Sequence, residues 1–129
     1  MNRIIPVLLA AVFLLWACGS TPKSQQEATV MNITAEEAKK LMDSESSYVI
    51  LDVRTQEEYD QGHIPGAVLI PDYEIEQAAQ DMLPDKDQLI LVYCRSGRRS
   101  KNAAQVLAEL GYTNIKEFGG ILDWPYEVE

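Results

Sequence analysis

Leu89-Ile90-Leu91-Val92-Tyr93 is a continuous apolar, β-rich run that ends directly on Cys94-Arg95-Ser96-Gly97-Arg98-Arg99-Ser100. A short run without polar alternation is the pattern of a strand covered on both faces, as in parallel sheets with helices on either side. Beyond the loop the period changes. From Arg98 or Arg99 to Leu110, residues Ala103, Val106, Leu107 and Leu110 fall at i, i+3, i+4 and i+7, one face of a helix. Gly111 stands at the usual C-terminal stop. Strand, polar loop and amphipathic helix in direct succession constrain the chain to an α/β architecture.

The rest of the chain alternates in the same way. Val30–Ile33 reads as a short strand, and Thr34-Ala35-Glu36-Glu37 as a capping box opening a helix to about Asp43. Tyr48–Val53 is a second covered strand, after which Thr55 can cap a short helix over Gln56–Asp60. Gly62-His63-Ile64-Pro65-Gly66 is a turn by composition, followed by a strand over Ala67–Ile70 and a helix over Tyr73–Met82 ending near Pro84. Asn114–Phe118 reads as the last strand and Gly119-Gly120 as a loop.

In open α/β sheets, ligands bind beyond the carboxyl ends of the strands, where loops meet helix N-termini. Cys94 is expected there. A helix N-terminus offers unpaired N–H groups and roughly half a positive charge. Gly97 permits a loop whose amides turn inward on an anion, and Arg95, Arg98 and Arg99 add formal charge. Together these lower a thiol below its free pKa of roughly 8.5, so no histidine base is needed. Cys94 is the candidate nucleophile. Arg95, Ser96, Gly97, Arg98, Arg99 and Ser100 form the candidate anion-binding loop, with one or two arginines expected on substrate and Arg98 expected toward solvent.

The start of the chain is different. Met1-Asn2-Arg3, an uncharged stretch Ile4–Ala17 and then Cys18-Gly19-Ser20 describe a secretory signal, too short to cross a bilayer comfortably at roughly 20 residues. Leu15-Trp16-Ala17-Cys18 resembles a bacterial lipobox. That resemblance implies cleavage after Ala17 and a lipid on Cys18. The organisation expected is a signal peptide over 1–17, a flexible lipid-anchored tether over 18–29 and one domain over 30–129, on the periplasmic face of a bacterial envelope membrane.

A net charge of −9 argues against nucleic acid as a general partner and makes the basic cluster at Arg95, Arg98, Arg99 and Lys101 stand out. With Cys18 lipidated, Cys94 has no disulfide partner, and no CxxC pair is present. One histidine and one available cysteine do not make a transition-metal site, and no cofactor is expected. A monomer is expected.

Val49-Ile50-Leu51-Asp52-Val53-Arg54, Glu57-Glu58-Tyr59, Gly62–Ala67, Tyr93–Ser100 and Gly119-Gly120-Ile121 with Trp124 resemble a single-domain rhodanese over about residues 30–125. The resemblance implies a rhodanese-like α/β fold, a central parallel sheet of five strands flanked by helices. It also implies a sulfurtransferase carrying sulfane sulfur on Cys94 as a persulfide, from a donor such as thiosulfate to cyanide or a thiol. The loop arginines suit a dianionic donor. Asp52 and Arg54 are read as a structural pair at the strand ends, with Arg54 bordering the pocket. Trp124 is read as a core or pocket-wall residue, His63 as a turn residue with satisfied hydrogen bonds, and Glu57 and Glu58 as helix-start charges.

Two other functions compete. A cysteine phosphatase needs Cys-x5-Arg to clamp phosphate bidentately, but Ser100 occupies the arginine position and Arg99 falls one short. A persulfide relay or sulfur-carrier module, passing sulfur to a partner protein, uses the same loop and is separated from the enzyme only by its acceptor.

Overall fold

The computed structural model describes residues 29–129; the expected signal peptide, the lipidation site Cys18 and almost all of the tether lie outside the described residues. The chain runs β1 (Val30–Asn32), α1 (Ala35–Ser44), β2 (Val49–Asp52), α2 (Gln56–Gln61), β3 (Val68–Leu69), a 3-10 turn (Asp72–Glu74), α3 (Ile75–Met82), β4 (Ile90–Cys94), α4 (Arg98–Glu109), β5 (Ile115–Gly120) and a closing 3-10 turn (Ile121–Asp123). One five-stranded sheet results, in the order β1-β5-β4-β2-β3, and every pair is parallel.

Local chemistry explains most boundaries. Thr34 and Glu37 close a capping box on α1, and Thr55 and Glu58 close another on α2, each satisfying two amide donors at a helix start. β4 is buried along its whole length, as its unbroken apolar run requires. Its side chains alternate between two cores. Ile90, Val92 and Cys94 face α3 and α4 with Ile75, Ala79, Ala103, Ala104 and Leu107, whereas Leu91 and Tyr93 face Ala38, Ile64, Phe118 and Trp124.

Three expectations are corrected. The helix predicted from Tyr73 begins as a 3-10 turn and becomes α-helical only at Ile75. The strand predicted over Ala67–Ile70 pairs only through Val68 and Leu69, because β3 is an edge strand held by β2 alone. Gly119-Gly120 is not a loop: both residues belong to β5. The register slips between Val92 and Cys94, from Val92 opposite Glu117 to Cys94 opposite Gly120, so β5 bulges by one residue beside the thiol.

The strand order places the site. β2 leads outward to β3 on one side and β4 leads to β5 on the other, so the loops leaving their carboxyl ends diverge and open a crevice. Arg54 lies just past β2, and Cys94 is the last residue of β4.

Candidate active site

Cys94 ends β4 with its side chain toward α4, and it is 1% exposed. The chain then turns through Arg95-Ser96-Gly97 into α4. Gly97 is the N-cap, at φ 105°, a left-handed conformation that a side chain would strain. This conformation aims the Gly97 N–H at Cys94 Sγ, 3.0 Å away. Ser100, one turn into α4, brings its Oγ to 3.4 Å from Sγ. Burial pushes the thiol pKa up. Hydrogen bonding with the Ser100 side chain and with the amides of Ser100, Gly97 and Ser96 outweighs it, and the thiol titrates below its ordinary value.

The bulge in β5 has a specific role. A Cβ on Gly120 would collide with the carbonyl of Arg95, so only glycine lets β5 lie against the cysteine loop. The Leu122 N–H donates to that same carbonyl at 3.2 Å and ties the closing turn to the loop.

The three loop arginines have different fates. Arg99 makes a bidentate pair with Glu58 of α2, its two terminal nitrogens 2.7 and 2.9 Å from the two carboxylate oxygens. The Arg99 hydrogen bonds hold the Glu58 carboxyl at about 2, against some opposition from burial. Glu58 is therefore more than a helix-start charge: it caps α2 and clasps α4 across the site. Arg98 is exposed, as expected. Neither Arg95 nor Arg98 has an ion pair among the described residues. Arg95 borders a crevice of about 370 Å³ with Arg54, Glu58 and Trp124, and the exposed Leu122 and Val128 form part of its rim.

Asp52 and Arg54 form the pair expected of them, fully buried. Arg54 Nη2 lies 2.7 Å from Asp52 Oδ2 and also donates to the Gly62 carbonyl at 2.7 Å. The Tyr93 hydroxyl donates to Asp52 at 2.6 Å and accepts from the Ile64 N–H at 3.1 Å. Burial and the Asp52 bond push the Tyr93 phenol up, so it stays protonated. Trp124 is a wall residue, its ring 5.6 Å from that of Phe118 and its indole N–H on the Glu127 carbonyl. His63 stacks on Tyr59 at 3.8 Å, and its Nδ1 lies 3.0 Å from the Tyr59 carbonyl oxygen.

Sequence reasoning missed Glu117. It is 2% exposed and accepts from Ser100 Oγ at 2.6 Å and from the Gly119 N–H at 2.8 Å. A signal was present: counting by two from the buried Ile115 puts position 117 on the α4 face, where a carboxylate has no place without a partner.

The chain is thus an open parallel α/β domain with a cysteine-bearing, strand-to-helix loop at its sheet switch point. The rhodanese-like domain family model matches residues 34–126, and the chain belongs to that family. It is similar to the thiosulfate sulfurtransferase PspE of Escherichia coli, 41% identical over 73 residues that cover 57% of this chain and 70% of that protein. It is also similar to the putative sulfur carrier protein YrkF of Bacillus subtilis, 38% identical over 112 residues covering 86% of this chain and 60% of that protein. The chain thus spans less than two thirds of the second relative. Among solved structures, a rhodanese with anions from E. coli superposes with a TM-score of 0.61 at 36% identity, covering 64% of this chain and 98% of that one.

Proposed function

We propose that this protein is a thiosulfate sulfurtransferase working through a persulfide on Cys94. The observation that carries the reading is the Gly97 amide 3.0 Å from a buried Sγ at the start of an arginine-bearing helix. The Cys94 thiolate attacks the outer sulfur of thiosulfate; the donor S–S bond breaks, and sulfite leaves with its electron pair. Cyanide or a thiol then attacks the outer sulfur of the persulfide, and Cys94 departs as thiolate. The halves are separated in time, so ping-pong kinetics are expected. The loop amides already point where negative charge sits, on the thiolate and then on the persulfide. Arg95, which has no ion pair among the described residues and lines the crevice, is the donor-binding cation; Arg99 is engaged by Glu58.

Mass spectrometry after thiosulfate treatment tests this reading. A gain of one sulfur on Cys94, absent in Cys94→Ala, is the expected result, and no gain on the wild type would overturn it. Hydrolysis of p-nitrophenyl phosphate lost on Cys94→Ser would instead favour a phosphatase.

A protein acceptor is the second reading. The rim of the crevice carries Leu122, 62% exposed, beside Tyr126 and Val128, an apolar border that a small anion does not need. Persulfide transfer to a partner protein much faster than to cyanide would support a relay. For the start of the chain the reading is a lipid on Cys18 that holds the domain at the periplasmic face of a membrane. Fatty-acid labelling lost in Cys18→Ala is the expected result.

A further inference from the structure

Three cations around the mouth of the site answer to nothing in the chain. Among the described residues, the side chains of Arg95, Arg98 and Lys101 make no hydrogen bond and no ion pair. Every other lysine and arginine there is engaged: Lys39, Lys40, Arg54 and Arg99 by acids, Lys86 by the Leu110 carbonyl and Lys116 by the Met31 sulfur. All three unengaged cations are exposed. No acid interrupts the chain from Arg95 to Ala108, although the whole protein carries a net charge of −9.

Neighbouring acids do not neutralise this patch. In the crevice lining, Glu58 is spent on Arg99 and Arg54 on Asp52, which leaves Arg95 as the uncompensated charge. Asp72 bears on Arg99, and Asp123 is an exposed acid beside Leu122 on the closing turn. The apolar part of the rim is fixed to the basic part, since the Leu122 N–H donates to the Arg95 carbonyl at 3.2 Å. Leu122, Tyr126 and Val128 are exposed there. Lys101 stands one turn beyond Arg98, about 5 Å along the exposed side of α4 and beyond a small anion held at Arg95. A sulfur donor of a few atoms has no use for Lys101 or Leu122.

We propose that this surface docks an acceptor protein through a short acidic segment that carries the receiving cysteine. Its acids sit on Arg98 and Lys101, an apolar side chain on Leu122 and Val128, and its cysteine enters the crevice at Arg95. The inference rests on the protein-acceptor reading given above. The partner thiolate attacks the outer sulfur of the Cys94 persulfide; a new S–S bond forms, the old one breaks, and Cys94 leaves as thiolate with the electron pair. The acidic remainder of the molecule repels such a segment, so encounter is steered to the mouth of the site. An anionic membrane would meet the same cations, but it would cover the crevice by which the donor enters.

The test uses the full chain and two peptides, each with one cysteine and one leucine, flanked by glutamates in the first and by lysines in the second. Both are activated as mixed disulfides with thionitrobenzoate. Attack by Cys94 on the peptide sulfur expels coloured thionitrobenzoate, so docking is read without any sulfur transfer. The rate of Cys94→Ala is subtracted, and each peptide is scaled to its reaction with 2-mercaptoethanol. At low salt the glutamate peptide should react about tenfold faster than the lysine peptide. The difference should vanish near about 1 M salt, where charges are screened within about 3 Å. Lys101→Glu should slow the glutamate peptide at least about threefold, and alkylation of Cys94 by neutral iodoacetamide should not change. Leu122→Ser should slow both peptides alike. Equal rates for the two peptides at low salt, whether or not phosphatidylglycerol vesicles block both, would overturn the acidic partner. So would a Lys101→Glu loss as large in persulfide formation from thiosulfate as with the peptide, the mark of a funnel for any anion. A retained glutamate preference in a wild type that forms no persulfide from thiosulfate would keep the docking surface and remove the sulfur reading.

Discussion

Two buried carboxylates flank β4 at the same end of the sheet, and they are answered differently. Asp52, on the face toward Trp124, meets a guanidinium and a phenol: Arg54 grips it through Nε and Nη2, and Tyr93 donates to it. Glu117, on the face toward α4, meets only neutral donors, Ser100 and Gly119. Adjacent residues of one strand, Tyr93 and Cys94, reach the two networks because side chains alternate. The first network is closed: its charge is matched by a cation that cannot give up its proton, so it can only hold β2, β4 and the turn at Gly62 together. The second has no cation among the described residues and is held by neutral hydrogen-bond donors alone, one of which, Ser100, also touches the Cys94 sulfur. Countercharge, not burial, separates scaffold from chemistry in this molecule.

The contrast can be broken most severely at Asp52. Asp52→Asn leaves Arg54 buried without a countercharge and should cost about 3–5 kcal/mol in urea unfolding. Tyr93→Phe strips the Ile64 N–H of its acceptor and Asp52 of a donor, for a loss of about 1–3 kcal/mol by the same measurement. Glu58→Gln probes a carboxylate–arginine pair at the half-exposed margin, and solvent screening limits its loss to about 1 kcal/mol. That loss should depend on pH with a definite sign. The Glu58 carboxyl is depressed from 4.5 to about 2, so its contribution is complete above about pH 4.5 and disappears as the pH falls toward 2. Unfolding curves of wild type and Glu58→Gln should therefore converge over that interval.

The smallest stability effect belongs to Glu117→Gln, below about 1 kcal/mol, since the amide oxygen can still accept from Ser100 and Gly119 and no cation is stranded. Its effect on alkylation of Cys94 should nevertheless be the largest of the four, since it alone changes the residue that Ser100 bonds beside the sulfur. A stability loss comparable to that of Asp52→Asn would show that the two networks do the same work.

Much of the framework was legible along the chain. The uninterrupted run Leu89–Tyr93 announced a strand covered on both faces, the spacing of Ala103, Val106, Leu107 and Leu110 announced α4, and Thr34 and Thr55 marked helix starts that carry capping boxes. Cys94, Gly97 and Ser100 stood together because all three lie within one seven-residue strand-to-helix turn, where local geometry follows from local sequence. The pairing of Asp52 with Arg54 was legible for the same reason, since only Val53 separates them.

What escaped was carried by contacts between distant segments. Arg99 reads as a free cation in a basic loop, yet Glu58 takes it from 41 residues away. Gly119-Gly120 reads as a loop because glycine usually breaks strands, yet Gly120 is in β5, where the backbone of Arg95 leaves no room for a Cβ. Glu117 reads as one acid among many until the β5 register turns it inward onto Ser100. Sequence alone determines the order of elements and the identity of the thiol loop, because hydrophobic period and capping act within a few residues. Which charge is paired and which is held by neutral donors alone was decided only by tertiary structure, because countercharge is a property of space and not of chain order.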